Sequence, residues 1–178
     1  MERLTTVINY IFFKGEGKYT PKQINRFLYY SYGIYLAVYN DDINSLDNRL
    51  FNDSFYTFTS GPIIEKANDY LEDNRDYYCG LDKEIKEHTD KLRYTDVVLD
   101  RRSKRIINAV LITYGKYSGN ELEKMVLKEK PYKKSKKRNK IVKIDDKAIY
   151  DYFAKIYNEN YQKNKTQNFA LFKKPKMI

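Results

Sequence analysis

The residue types that most often carry covalent or metal chemistry are scarce in this chain of 178 residues. Cys79 is its one cysteine and His88 its one histidine, so a zinc site built from several such ligands is excluded. The two lie in one segment, which leaves a thiol–imidazole pair open, although unused single residues of these types are the commoner case. Neither G-x-x-x-x-G-K-[ST] nor G-x-G-x-x-G occurs. The sequence therefore predicts a protein that is not an enzyme and holds no metal or cofactor.

Basic residues instead dominate one stretch, the basic segment of residues 128–143. It holds nine lysines and arginines and a single acid, Glu129. Cations at this density favour contact with phosphate groups or an acidic protein surface, and Tyr132 offers a ring on which a base could stack. The alternative is a solvated, flexible loop. The candidate contact residues are Tyr132, Lys133, Lys134, Lys136, Lys137 and Arg138.

A second group of cations, the arginine cluster of residues 101–105, reads Arg-Arg-Ser-Lys-Arg. It stands at the start of a helix predicted over 103–114, where the positive end of the helix dipole disfavours cations. A bound anion or a nearby acidic side chain would offset that cost. The candidate anion- or partner-binding residues here are Arg101, Arg102, Lys104 and Arg105.

Charge is divided unevenly along the chain, whose formal net charge is +10. Residues 1–100 carry 12 Lys and Arg against 17 Asp and Glu, and residues 101–178 carry 22 against 7, giving −5 and +15. A chain polarised in this way suits an acidic protein partner or nucleic acid, met through its C-terminal half.

The composition also indicates a compartment. A lone cysteine allows no intramolecular disulfide and suits a reducing environment. No apolar run approaches the roughly 20 residues that a bilayer span needs, and the first residues lack a signal-peptide pattern. The sequence thus predicts a cytoplasmic protein without a membrane-bound part.

The spacing of apolar residues predicts a mainly α, compact helical domain with at most a small β element. Thr20 and Gln23 form a capping box that opens a helix over about 21–39, and Ser118 with Glu121 opens another. Further helices are predicted from residue 4 to the glycines at 15 and 17, over 63–74 and 103–114, from Asp145 or Asp146 onward, and weakly within 76–94.

Residues 55–59 are the best strand candidate, and Gly61-Pro62 is predicted to turn the chain directly into the helix over 63–74. One domain is expected over residues 1–163. For residues 164–178 the alternatives are a mobile tail or a segment that packs through its apolar residues. The strongest apolar stripes predict a shared core of Ile24, Phe27, Leu28, Ile107, Val110 and Leu111.

Four short motifs stand in an order that resembles the Panacea (SocA-like) antitoxin domain. The first is Thr20 followed by Phe-Leu-Tyr-Tyr at 27–30 and Gly33, and the second is Gly-Pro-Ile-Ile at 61–64. The third is Tyr-Gly-Lys-Tyr-Ser-Gly-Asn-Glu-Leu at 114–122, and the last joins Glu-Lys-Pro-Tyr at 129–132 to Tyr152-Phe153. The similarity spans about residues 4–155.

This resemblance implies a binding protein that neutralises a toxin or effector enzyme by direct contact. Two alternatives stay open: an inhibitor of a host defence system carried by a phage or mobile element, such as an anti-CRISPR, and a nucleic-acid-binding protein that uses the basic C-terminal half.

Overall fold

A computed structural model of the chain describes residues 1–75 and 97–164, with side chains through residue 159. These ranges hold seven helices and a two-stranded sheet: α1 Leu4–Lys14, α2 Pro21–Tyr39, β1 Tyr56–Phe58, β2 Gly61–Ile63, α3 Glu65–Asp73, α4 Arg101–Tyr114, α5 Gly119–Val126, α6 Lys130–Ser135 and α7 Asp146–Asn164. The prediction of a mainly helical chain with a small β element is confirmed. Among the helices described, none is both long and apolar enough to cross a membrane. Cys79, His88, the weak helix predicted within 76–94 and the tail beyond residue 164 lie outside the described residues.

Helix α2 is the centre of the fold, since α1, α3, α4, α5, α7 and β2 all pack around it. It begins at the predicted capping box: Thr20 Oγ1 accepts from the Gln23 amide at 3.3 Å, and Gln23 Oε1 accepts from the Thr20 amide at 3.0 Å. Two otherwise unpaired amides of the first turn are thereby satisfied. The local sequence thus fixes where the most buried helix starts.

The predicted core is confirmed. Its six members belong to one buried cluster, and the most exposed of them, Leu111, has 9% of its surface accessible to solvent. Gly33 of α2 shows how closely α7 packs against this cluster: a Cβ at that position would lie 2.2 Å from the Phe153 ring. The missing side chain lets an aromatic ring cover the helix backbone directly.

The small sheet extends the core on one side. β1 pairs with β2 in antiparallel register, Phe58 opposite Gly61. The prediction that Gly61-Pro62 leads directly into a helix is wrong: these residues form β2, and α3 starts only at Glu65. Gly61 adopts φ +125°, a conformation that residues with a side chain avoid. A glycine at this position therefore allows the chain to turn from β1 into β2.

Helices α4, α5 and α7 lie where the sequence predicts them. α4 begins at Arg101, two residues before the predicted start, because Asp100 caps it. Ser118 and Glu121 form the predicted capping box of α5, and Gly115 follows the last residue of α4. α7 begins at Asp146, and Asp145 Oδ1 accepts from the Lys147 amide.

Candidate functional site

The basic segment contains a short helix and an extended stretch that pairs with β1 through Lys143. Pro131 occupies the first turn of α6, where its missing amide hydrogen costs nothing. Beyond α6 the chain turns between Lys137 and Lys140, which form an isolated antiparallel bridge. The alternative of a loop throughout the segment is therefore wrong for residues 130–135, which form α6.

Tyr132 anchors this segment from inside the fold. It is 2% exposed, and its hydroxyl donates to the Phe58 carbonyl of β1 at 2.7 Å. The Lys136 ammonium lies 5.2 Å from the centre of the Tyr132 ring, close enough for a cation–π interaction. The prediction that Tyr132 offers a stacking ring to a ligand is wrong, because the ring is buried against the sheet.

Glu129, the single acid of the segment, also points inward. Its Oε1 accepts from the Tyr30 hydroxyl at 3.1 Å, and the Tyr30 ring stacks on Tyr114 with centroids 4.1 Å apart. Burial raises the pKa of Glu129 to about 7, and the hydrogen bond from Tyr30 offsets only part of that shift. The carboxyl group thus belongs to the core and does not neutralise the lysines around it.

All nine cations of the basic segment are exposed, including the candidates Lys133, Lys134, Lys136, Lys137 and Arg138. No acid among the described residues lies within ion-pair distance of any of them. Because the one local acid is turned into the core, the outer face of the segment carries positive charge alone. Such a face raises the local concentration of anionic groups.

The arginine cluster is organised differently. The Asp100 carboxylate accepts from the Ser103 amide at 2.7 Å, and Glu2 Oε1 accepts from the Asp100 amide at 2.8 Å. Arg102 lies over the Tyr39 ring at 5.4 Å. An acidic side chain, one of the two expected ways to offset these cations, is present at the start of α4. Arg101 and Arg105 are exposed and Lys104 is half-buried.

The two groups of cations lie at different heights along α2. The arginine cluster contacts Tyr39, the last residue of that helix, whereas Glu129 contacts Tyr30. A rise of 1.5 Å per residue separates these contact points by about 14 Å. The two groups are therefore attached to different parts of α2.

Sequence reasoning missed Arg26, a cation buried at 1% exposure. Its guanidinium donates to the Pro62 carbonyl at 2.9 Å and the Ser60 carbonyl at 2.6 Å, which fastens the β-hairpin to α2. Burial lowers the pKa of Arg26, and Glu123 acts in the opposite direction. The available signal was its position between Ile24 and Phe27 on the apolar face of α2.

The segments that carry the family resemblance meet around Tyr30 and Arg26. Tyr30, from the first motif, contacts Tyr114 of the third motif and both Glu129 and Phe153 of the last. Arg26 donates a hydrogen bond to the carbonyl of Pro62, which belongs to the second motif. These contact residues are buried or half-buried, so they contribute to the packing of the domain.

The described residues contain no group of three or more His, Cys, Asp or Glu side chains placed to hold a metal ion. The candidate pair Cys79 and His88 lies outside those residues.

A search of protein families matches residues 24–133 to the family described as antitoxin SocA-like, Panacea domain. The matched range begins in α2 and ends in α6, so it includes the Tyr30–Glu129 contact and residues 128–133 of the basic segment. No curated protein and no solved structure matches the chain significantly.

Proposed function

The chain belongs to the SocA-like antitoxin family with a Panacea domain, and we propose that it acts in the cytoplasm by binding a cognate toxin or effector enzyme and neutralising it through direct contact. Antitoxin-like membership points to a regulatory role and away from catalysis. The contact surface proposed is the outer face of the basic segment.

One observation carries this proposal: nine exposed cations face outward from a segment that is anchored by Tyr132 and whose only acid is buried. An uncompensated positive surface steers association with an acidic partner. Anchoring its backbone through Tyr132 reduces the entropy that the segment loses on binding. A flexible lysine loop would lack the second of these advantages.

A protein partner is favoured over nucleic acid. Sequence-independent binding of single strands commonly combines cations with exposed aromatic rings, and the one aromatic ring of the segment is buried. Lysine also provides point charges and lacks the planar fork with which arginine grips phosphate. An inhibitor carried by a phage would use the same protein–protein contact, so its genomic setting distinguishes it.

The experiment is a growth assay in which the chain is co-expressed with the protein encoded next to it in its native genome. A toxic neighbour should be neutralised by the wild-type chain. The test variant replaces Lys133, Lys134 and Lys137 by Gln, and Lys136 is retained because it packs on Tyr132. The control replaces Arg101 and Lys104, two cations outside the basic segment, by Gln.

We expect the three-lysine variant to lose most of the protection and the control to keep it. Equal accumulation of both variants in the cell excludes a folding defect. Full protection by the three-lysine variant would overturn the assignment of the surface. If the wild-type chain gives no protection, and binds nucleic acid but no neighbouring protein, the proposed function is overturned.

A further inference from the structure

Residues 141–144 form a third extended segment of the small sheet, and the outer side of this segment is not paired. The Thr57 amide donates to the Val142 carbonyl at 2.9 Å, and the Ile144 amide donates to the Phe55 carbonyl at 2.8 Å. The Val142 amide donates to Thr57 Oγ1 at 3.0 Å. β1 therefore lies between β2 and this segment, and the segment forms one edge of the sheet.

The other backbone groups of the segment face away from β1. Tyr56 and Lys143 are bridge partners, flanked by the two hydrogen bonds that Val142 and Ile144 make. Since backbone groups alternate in direction along a strand, the amide and carbonyl groups of Ile141 and Lys143 point outward. No described residue provides a hydrogen-bond partner for these four groups.

The side chains at this edge are of two kinds. Ile141 is 56% exposed, an unusual position for a large apolar residue, and Lys140 and Lys143 are exposed beside it. Lysines on an edge strand oppose pairing with a second copy of the same edge, because like charges would face each other. They favour pairing with a strand that carries acids.

We propose that this edge binds an extended acidic segment of a partner protein as an added antiparallel strand. Main-chain hydrogen bonds to Ile141 and Lys143 would provide the register, as in other cases of strand addition. An apolar residue of the added strand lies opposite Ile141 and an acid lies opposite Lys143, two positions apart on one face.

This inference rests on the proposed function, because it specifies how the basic segment recognises a protein. It adds a requirement that charge attraction alone does not impose: the bound segment must be extended and must donate its backbone amides.

The test uses the full chain and a seven-residue peptide with capped ends. Its sequence is Thr-Glu-Thr-Val-Thr-Glu-Thr, with glutamate at the second and sixth positions and valine at the fourth. The control peptide has the same sequence with N-methyl groups on those three residues, which removes the amides that face the edge. Amide hydrogen exchange is followed by NMR at Ile141 and Lys143. The Ile144 amide, already bonded to Phe55, serves as the internal reference.

In the unbound protein we expect the Ile141 and Lys143 amides to exchange fast and the Ile144 amide to be protected. With about nine-tenths of the protein bound to the unmodified peptide, exchange at Ile141 and Lys143 should slow about tenfold, because it proceeds through the unbound fraction. The N-methylated peptide should give no such protection. Equal protection by both peptides, or none by either at millimolar concentration, would overturn strand addition.

Two variants test the same point from the protein side. Lys143→Pro removes an outward amide that the fold does not use, and proline is accepted on edge strands. Lys143→Ala removes the charge and keeps the amide. We expect Lys143→Pro to weaken peptide binding at least several-fold more than Lys143→Ala, with the Ile144 amide still protected in both variants. Equal weakening would reduce the site to a charge contact. If Lys143→Pro fails to fold, the N-methylated peptide decides the matter on the wild-type protein.

The outcome is separable from the fate of the proposed function. If the toxic neighbour is neutralised as well by Lys143→Pro as by the wild type, the antitoxin role stands and the edge is wrong. If the wild-type chain neutralises nothing, the proposed function fails whatever the peptide does.

Discussion

The arginine cluster and the basic segment have the same sign of charge and opposite internal arrangements. In the arginine cluster the nearest acid, Asp100, stays at the surface of α4 and caps the helix that carries the cations. In the basic segment the nearest acid, Glu129, is buried against Tyr30 and leaves the cations without a local counter-charge. The first arrangement stabilises the start of α4. The second leaves positive charge exposed, and we propose that this charge contacts a partner.

This difference shows that a count of charges along the sequence does not reveal which cations are offset. Both stretches read as positive runs with an acid close by. Only the direction in which the acid points separates them, and that direction depends on Tyr30, which lies almost 100 residues away in the chain. The following predictions test the comparison, from the largest expected effect to the smallest.

Tyr132→Ala should cost about 3–5 kcal/mol of unfolding free energy, because it removes a fully buried ring and its hydrogen bond to Phe58. Chemical denaturation measures the loss. Tyr132→Phe keeps the ring and should cost only about 1 kcal/mol. A cost below about 1 kcal/mol for the alanine variant would show that the basic segment is not anchored by this residue.

Glu129 should make the protein less stable as pH rises. Below pH 4.5 the carboxyl is neutral in both states, whereas above it the unfolded chain ionises first, because the folded pKa is raised to about 7. Unfolding free energy should therefore fall between about pH 4.5 and 7, by an amount on the order of 3 kcal/mol.

The control for this titration is Glu129→Gln, which keeps the acceptor for the Tyr30 hydroxyl and removes the ionisable group. Its unfolding free energy should change less with pH over the same range. Parallel pH profiles for the two proteins would contradict the burial of the carboxyl group.

Asp100→Ala should cost about 1 kcal/mol, because it removes the cap of α4 and leaves three arginines and a lysine at the positive end of the helix dipole. Asp100→Asn keeps most of the capping bond and removes the charge. Thermal melting of both variants separates the two contributions. A melting temperature unchanged by Asp100→Ala would mean that the arginine cluster is not compensated by this acid.

Replacing Lys133, Lys134 and Lys137 by Gln should change the unfolding free energy by less than about 0.5 kcal/mol, because all three side chains are exposed and have no described acidic partner. Equilibrium denaturation provides the measurement. A marked loss of stability would show that these lysines form ion pairs with acids of the fold and are not available to a partner.

Local signals account for most of what the sequence predicts correctly. The capping boxes at Thr20 and Ser118 satisfy their own helix starts, so the neighbouring residues suffice to recognise them. The apolar stripes of α2 and α4 likewise identify the core without knowledge of the contacts.

The sequence-based predictions are wrong where a residue far away in the sequence determines the local structure. Gly61-Pro62 forms a strand because β1 and the buried Arg26 bind it, and neither contact is encoded near the turn. Tyr132 is buried because the Phe58 carbonyl accepts its hydroxyl. A tyrosine among lysines looks accessible in sequence, and its burial depends on a hydrogen-bond acceptor more than seventy residues earlier.

The most direct test of the central claim measures, at two ionic strengths, how fast the chain associates with the proposed partner, the protein encoded next to it. Two variants remove equal charge from helices: Lys133→Gln with Lys134→Gln in α6, and Arg101→Gln with Lys104→Gln in α4. Steering by the basic segment predicts that the first variant associates about fivefold more slowly at low salt, with a flatter salt dependence, and that the second matches the wild type. Equal association rates for the two variants would contradict the assignment of partner recognition to the basic segment.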